Sequence, residues 1–333
     1  MKAFHPLVFC GLLFAGVQAY ASAPACPAHE HPPAPVCTAS PYGLAYADTR
    51  EEADAATVAQ REAALRFEAH FGPAPSGLVV LSTTYDPIAA QQFAQAHGLG
   101  YSQVWLPSSA KQQMLSRAMR RAGMDRARIR RANAGMADQD QNSLRHEIGH
   151  ALYAAAFWPD AAAGSDQRYG SPAPDWLDEA AAILMEHPES QGARAGEFIA
   201  VAQALPDSIP PLAEFLDMEH PVLAPRLLQR LERGVSSESG IHMTVTRDAD
   251  SWGIVTFYGQ SLLVGMFLME TSGEPLILAT ISAAVADGVP LPDWLAQHGP
   301  SHGLPPSLEA LQDAWETWSR ALPDRAKDTH QNQ

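Results

Sequence analysis

The chain has 333 residues, of which 46% are hydrophobic and 18% are charged. This composition can fill a sizeable core and excludes a disordered chain. The length fits one large domain or two closely packed ones. The formal net charge is −15 and the isoelectric point is near 5.2. Neither nucleic acid nor an anionic membrane is therefore expected as a default partner.

Residues 1–23 read MKAFHPLVFCGLLFAGVQAYASA and have the pattern of a secretory signal peptide. Lys2 supplies a short positive region, and an apolar region follows at residues 7–17, which is too short to span a bilayer. Small residues near its end fit cleavage after Ala21 or Ala23. We therefore expect an exported protein, periplasmic or secreted, that is soluble after processing and has no transmembrane segment in the mature chain.

Residues 24–50 are rich in proline and alanine and are expected to form a leader. They contain Cys26 and Cys37 in the stretch CPAHEHPPAPVC. An oxidising compartment permits a disulfide between these cysteines, which would close a short loop. The alternative is a metal-binding tag in which His29 and His31 join the two cysteines. We favour the disulfide or a plain flexible leader.

The hydrophobic pattern of the remaining chain predicts an α+β fold. In an N-terminal α/β portion at residues 51–135, it predicts a helix at 51–70, a strand at 78–83, a helix at 86–98 and a strand at 101–107. In a mainly helical portion at residues 136–325, it predicts helices near 140–157, 175–187, 193–204, 222–233, 253–271, 274–287 and 306–321, before a tail at 326–333. The expected architecture is a small N-terminal mixed sheet followed by a helical lobe.

Seven arginines lie between Arg117 and Arg131, in an otherwise acidic protein. Such a run is either a basic surface that faces a substrate or partner, or a solvated helix face whose charges pair with acidic neighbours. The second case is the commoner one, and the sequence leaves both open.

The stretch HEIGH contains His146, Glu147 and His150 and predicts a zinc site. Two histidines four residues apart lie on one face of a helix, about one turn from each other, and can bind one ion. Glu147 can then reach a water on that ion without being a ligand, and can accept the proton that zinc makes acidic. We expect Asn142 or Ser143 to cap this helix. The alternative is a helix that carries unrelated histidines.

A third zinc ligand is offered by the stretch PDWLDEAAAILME, residues 174–186. Asp175 can cap a second helix, from whose first turns Glu179 projects. If the two helices are antiparallel, Glu179 reaches the face that carries the two histidines. A catalytic zinc needs such a third protein ligand and an open fourth position. Asp178 either accepts a hydrogen bond from one of the histidines or only caps the helix or faces solvent.

HEIGHAL followed by WLDEAAA resembles the active site of the gluzincin metallopeptidases, in which HExxH precedes a WLxEGxA segment on a later helix. The resemblance implies a thermolysin-like active-site architecture with one Zn²⁺ per chain. It also implies that His146, His150 and Glu179 are the zinc ligands and that Glu147 is the general base. Ala180 stands where the family usually has glycine, and it is likewise small and compatible with a helix.

The stretch TFYGQSLLVGMFLM, residues 256–269, is similar to the tyrosine-bearing helix that follows the zinc helices in peptidase MA-like domains. Tyr258 is therefore a candidate catalytic residue, whose hydroxyl would stabilise the oxyanion of the tetrahedral intermediate. The alternative is a tyrosine buried in an apolar helix. His242, His298 and His302 are the alternative donors for the same role.

These motifs lead to the hypothesis of an exported zinc metallopeptidase, a hydrolase that acts on a peptide or protein substrate. The alternative is a catalytically silent, peptidase-like protein that serves as an envelope binding or scaffold protein. Glu147 favours the enzyme, because zinc binding alone does not require that residue. A third hypothesis is a metal carrier that uses the cysteines and histidines of residues 24–40.

Overall fold

The computed structural model describes residues 25–29, 31–161, 170–221 and 249–322. These residues form an α+β fold with a small mixed sheet and a mainly helical body, as the sequence predicts. The signal peptide expected at residues 1–23, the helix expected near 222–233, His242 and the tail at 326–333 lie outside the described residues.

The sheet has the strand order β1 (Val36–Ser40), β2 (Gly43–Ala47), β3 (Gly77–Leu81) and β4 (Tyr101–Trp105). β1 and β2 are antiparallel, whereas β2, β3 and β4 are parallel to one another. Within the described sheet β4 is thus an edge strand, with one side available for pairing with an extended chain.

Strands β1 and β2 form a hairpin within residues 24–50. The prediction that this whole range is a leader is therefore wrong for the residues of the hairpin. All five residues of β2 are buried, and its side chains join two hydrophobic cores, one on each face of the sheet. Gly43 has φ 136°, and a Cβ there would lie 1.9 Å from a carbonyl oxygen of β3, so only glycine fits. The Cys26–Cys37 disulfide, one of the two favoured alternatives, is present and leaves neither thiol for a metal tag.

Two helices cover opposite faces of the sheet, because successive strand residues point to opposite sides. α1 (Arg50–Phe71) connects β2 to β3, and α2 (Pro87–Ala96) connects β3 to β4. Asp86 caps α2 as predicted, since its carboxylate accepts two backbone N–H groups. Val79 joins the large core that α1 shares with the helical body, whereas Val80 joins a smaller core with α2.

The helical body contains α3 (Ser108–Arg121), α4 (Arg126–Ala134), α5 (Met136–Phe157), α6 (Asp175–Leu184), α7 (Pro188–Ala204), α8 (Leu212–Phe215), α9 (Ala249–Ser272), α10 (Ile277–Ala286), α11 (Leu291–His298) and α12 (Leu308–Arg320). The sequence pattern missed α11, which is short and begins with a Leu-Pro pair. α5 packs between α1 and α6, and α6 packs between α5 and α9. All ten residues of α6 are buried, so the α5–α6 contact lies at the centre of the fold.

Within α9, residues Gly253–Ser272 are long and apolar enough to cross a membrane by length and composition alone. This is weak evidence for a membrane span, because 61% of the apolar window is buried in the fold, as in a core helix. The helix packs against α6 and α7, which explains its apolar composition.

Two predicted helix caps are wrong. α5 begins earlier than expected, so Asn142 and Ser143 lie inside it. Asn142 instead accepts a hydrogen bond from the backbone N–H of His187 at 2.7 Å. Asp175 is the first residue of α6, and its carboxylate accepts the backbone N–H of His220 at 2.6 Å. Asn142 and Asp175 thus fix contacts between distant segments rather than helix ends.

Candidate metal centre

The candidate metal centre forms where α5 crosses α6. Gly149, inside HEIGH, permits a close approach of the two helices, since a Cβ at this position would lie 2.7 Å from the Cα of Ala182. On α6 the residue that faces Gly149 is Ala182, which is small and 0% exposed. Small residues on both helices therefore bring the carboxylate of Glu179 directly opposite the histidine rings.

His146, His150 and Glu179 meet at this crossing, as the sequence predicts. Nε2 of His146 lies 3.3 Å from Oε1 of Glu179, and Nε2 of His150 lies 3.7 Å from Oε2. The two Nε2 atoms are 3.2 Å apart. Ligand atoms around one tetrahedral zinc lie about 3.3 Å apart, because zinc–ligand bonds are about 2.0–2.1 Å long. The spacing of the three side chains therefore fits one zinc ion.

The carboxylate of Glu179 is fully buried, and neither of its oxygens has a hydrogen bond of normal geometry within the described residues. Burial raises the pKa of Glu179, but His146 and the neighbouring imidazoles outweigh this effect and the net pKa is lowered. A buried carboxylate without its full set of donors is costly unless a cation compensates it. The donor set of two imidazoles and one carboxylate is one that zinc binds.

The far nitrogens of both rings are held by carboxylates. Nδ1 of His150 lies 2.6 Å from Oδ2 of Asp178, and Nδ1 of His146 lies 2.9 Å from Oε1 of Glu186. These contacts fix the rings so that both Nε2 atoms face Glu179. Of the alternatives for Asp178, the structure has the one in which it orients a histidine. Burial lowers the pKa of His150, but Asp178 outweighs this effect and the net pKa is raised to about 9.

Glu186 has a second partner, Arg194 on α7. The guanidinium of Arg194 binds both carboxylate oxygens of Glu186, with Nε at 2.9 Å from one oxygen and the terminal nitrogen at 2.5 Å from the other. Burial raises the pKa of Glu186, but its hydrogen bonds with His146 and Arg194 outweigh this and the net pKa is lowered to about 2. Glu186 is therefore a charged, fixed support for His146.

The sequence predictions missed Glu186 and His220. Nε2 of His220 lies 3.5 Å from Oε2 of Glu179, and the ring is fully buried. Glu186 had a usable signal, because it follows Glu179 by seven residues inside the helix predicted at 175–187, a spacing that places both on one side. In the structure α6 ends at Leu184, and Glu186 lies just beyond it. His220 had no such signal, since it lies in an irregular segment that only the tertiary fold brings to the site.

Glu147 lies where two cavities meet. The larger cavity has a volume of about 660 Å³ and is lined by Glu147, His150 and residues 100–103 at the start of β4. The smaller cavity has a volume of about 330 Å³ and is lined by His146, Glu147 and Tyr258. Glu147 is partly exposed, whereas the three candidate ligands are buried. Of the three polar residues of HEIGH, Glu147 is thus the most exposed and the one that lines both cavities.

Tyr258 lies beside the candidate centre. Its ring centroid is 6.1 Å from that of His146 and 5.5 Å from that of His220. The guanidinium carbon of Arg194 lies 4.8 Å above the tyrosine ring, a cation–π contact that fixes its position. Tyr258 lines the smaller cavity together with His146 and Glu147.

Two of the alternative histidines lie elsewhere in the fold. Nδ1 of His302 lies 3.0 Å from Glu274, and its ring stacks on Trp294. His298 also contacts Trp294, at a centroid distance of 6.1 Å. Neither histidine lines the two cavities that Glu147 lines.

Comparisons of this chain with protein-family models, with curated proteins and with solved structures find no match. The gluzincin resemblance therefore stays a prediction, carried by the motif residues themselves.

Proposed function

We propose that this protein is an exported zinc metallopeptidase of the gluzincin type, with a thermolysin-like active-site architecture and Glu147 as general base. One observation carries the proposal: a buried His146–His150–Glu179 triad with the spacing of a zinc site lies beside a partly exposed Glu147. A protein that only stored zinc would have no need of that carboxylate, which lines two cavities.

His146, His150 and Glu179 would hold one zinc ion per chain, with Asp178 and Glu186 fixing the two rings. Zinc, when bound, would lower the pKa of a water molecule towards neutrality and polarise the carbonyl group of the substrate. His150 lines the larger cavity and His146 the smaller one, so water or substrate could reach an ion that these residues would hold, as a catalytic site requires.

Glu147 would accept a proton from the attacking water as the new C–O bond forms. It would then deliver that proton to the amide nitrogen, so that the C–N bond breaks and a free amine leaves. Tyr258 would donate a hydrogen bond from its hydroxyl to the oxyanion that develops on the carbonyl oxygen. Its place in the smaller cavity supports this role.

The larger cavity supports a peptide or protein as the substrate. It runs from Glu147 along residues 100–103, where the edge strand β4 begins. An extended peptide could add to that edge through main-chain hydrogen bonds, which bind without demanding a particular sequence. A strand held in this way would lie across the cavity beside Glu147.

The test combines zinc content with cleavage of a mixed peptide library, measured on the exported protein and its variants. The wild-type protein should contain about one zinc per chain and cleave peptides until a chelator removes the metal. Glu147→Gln should keep the zinc but lose about 10²- to 10⁴-fold in rate. Glu179→Ala should lose the zinc. Glu189→Gln is the control, because that side chain is 91% exposed, and it should change neither quantity.

The same measurements separate the alternative function. If the protein held zinc but left the library uncut, with wild type and Glu147→Gln indistinguishable, the peptidase proposal would be overturned in favour of a silent scaffold protein. If the wild-type protein held no zinc even after dialysis against it, the metal centre itself would be overturned.

A further inference from the structure

The helical hairpin formed by α3 and α4 is a basic surface on an acidic protein. Residues 108–134, here named the basic arm, contain eight of the 22 basic residues of the chain but one of its 37 acidic residues. The basic arm therefore carries a net charge of +7, whereas the rest of the chain carries −22. An imbalance of this size within one hairpin points to an anionic partner.

The arginines of the basic arm are exposed. They are Arg117, Arg120, Arg121, Arg126, Arg128, Arg130 and Arg131. In the part of the chain that the structure describes, the arginine and lysine side chains in ion pairs are Arg50, Lys111, Arg145, Arg194 and Arg320, so these seven have no carboxylate partner there. Among those residues the arginine run is thus a solvated helix face, as one interpretation predicts, but its charges do not pair with acidic neighbours.

The turn between α3 and α4 brings cationic and apolar side chains together at one tip. Gly123 has φ 73°, which glycine adopts without strain, and it allows the chain to reverse direction tightly. Arg120 and Arg121 precede this turn and Arg126 follows it. Met124, in the turn itself, is 36% exposed. The tip thus carries three exposed arginines and an exposed thioether close together in the sequence.

None of the residues of the basic arm lines the larger or the smaller cavity. Exposed side chains on both sides of a tight turn can contact a flat surface. Guanidinium groups bind phosphate oxygens through paired hydrogen bonds. An exposed apolar side chain among them can enter the boundary between lipid headgroups and acyl chains.

We propose that the basic arm docks this protein onto the surface of a bilayer that contains anionic phospholipids, whose phosphate groups bind the arginines. The negative charge elsewhere does not prevent docking, because salt screens charges beyond about 8–10 Å at physiological ionic strength. The charges that decide whether the protein binds are therefore those on the face that touches the bilayer. The sequence predicts an exported protein. Such a protein meets the phosphate groups of membrane lipids, whereas it does not meet nucleic acid. The proposal does not depend on peptidase activity.

The test is co-sedimentation of the exported protein with vesicles of phosphatidylcholine, with or without about 30 mol% phosphatidylglycerol. The protein should bind the anionic vesicles and not the neutral ones, and should dissociate as sodium chloride rises from about 0.1 to about 0.5 M. Replacing Arg120, Arg121 and Arg126 by glutamine should weaken binding about tenfold or more.

The matched control removes the same charge elsewhere, by replacing Arg50, Arg61 and Arg320 with glutamine, and it should bind like the wild type. All three of these arginines are exposed and lie outside the basic arm. Met124→Gln should weaken binding a few-fold if the tip enters the headgroup boundary. Circular dichroism should give the same folded spectrum for every variant.

Three outcomes would overturn the proposal. The first is an absence of binding to anionic vesicles. The second is equal loss of binding in the basic-arm variant and in its matched control. The third is binding through the basic arm to polyglutamate or duplex DNA but not to vesicles, which would assign the surface to another polyanion.

Discussion

The α5–α6 crossing and the basic arm both concentrate charge, but they treat it in opposite ways. At the crossing, histidines and carboxylates are buried, and each ring nitrogen faces a carboxylate at a defined distance. In the basic arm, arginines are exposed and no carboxylate of the described residues pairs with them. Buried charges must be compensated by partners inside the fold. Exposed charges are solvated and remain able to bind a partner outside the fold. In the two proposals made above, this is the difference between a chemical site and a contact surface.

The crossing depends first on the close approach of its two helices, and Gly149→Ala should disrupt it most. The added Cβ would lie 2.7 Å from a backbone atom of Ala182, so the helices must separate. We expect the free energy of unfolding to fall by about 3 kcal/mol and zinc binding to be lost. Chemical denaturation and zinc analysis measure the two effects.

Gly196→Ala in α7 is the control for that change, because its Cβ would meet no atom within 4 Å. Alanine is the better helix former, so this variant should gain about 0.5–1 kcal/mol. If both variants lost stability to the same extent, the tight α5–α6 contact would not be what holds the site together.

Tyr258→Phe tests whether the chemistry extends from the crossing into the smaller cavity. Removing the hydroxyl should lower kcat by about 10²-fold, which is the cost of losing one oxyanion donor, while KM and zinc content stay unchanged. Steady-state kinetics on a peptide identified in the library would measure it. A change in KM alone would mean that Tyr258 contacts the substrate without stabilising the oxyanion.

The parts of the site that local sequence could predict are those in which one helix sets the spacing. His146 and His150 lie one turn apart on α5, and Glu179 follows from the early turns of α6. His220 could not be predicted, because the fold brings it in from an irregular segment. The β1–β2 hairpin was missed for a related reason: a five-residue strand such as β2 is stabilised by its neighbours rather than by its own pattern.

Glu186→Ala should weaken the metal centre without abolishing it. The change removes the carboxylate that orients His146 and leaves Arg194 without its bidentate partner. Loss of a group that orients a zinc ligand typically costs about 10- to 100-fold in metal affinity. Competition with a chelator of known zinc affinity measures this. Unchanged affinity would mean that packing alone fixes the His146 ring.

The smallest expected effects compare one arginine from each region. Arg145, on α5, is 12% exposed and lies 2.6 Å from Glu62, so Arg145→Gln should cost about 1 kcal/mol of unfolding free energy. Arg130, in the basic arm, is exposed and has no carboxylate partner among the described residues, so Arg130→Gln should stay within about 0.5 kcal/mol of wild type. Both substitutions remove one positive charge from a helix, and urea denaturation of the two variants side by side therefore isolates the contribution of the ion pair. An equal loss in both would mean that the arginines of the basic arm stabilise the fold itself, and the contrast between the two regions would no longer hold.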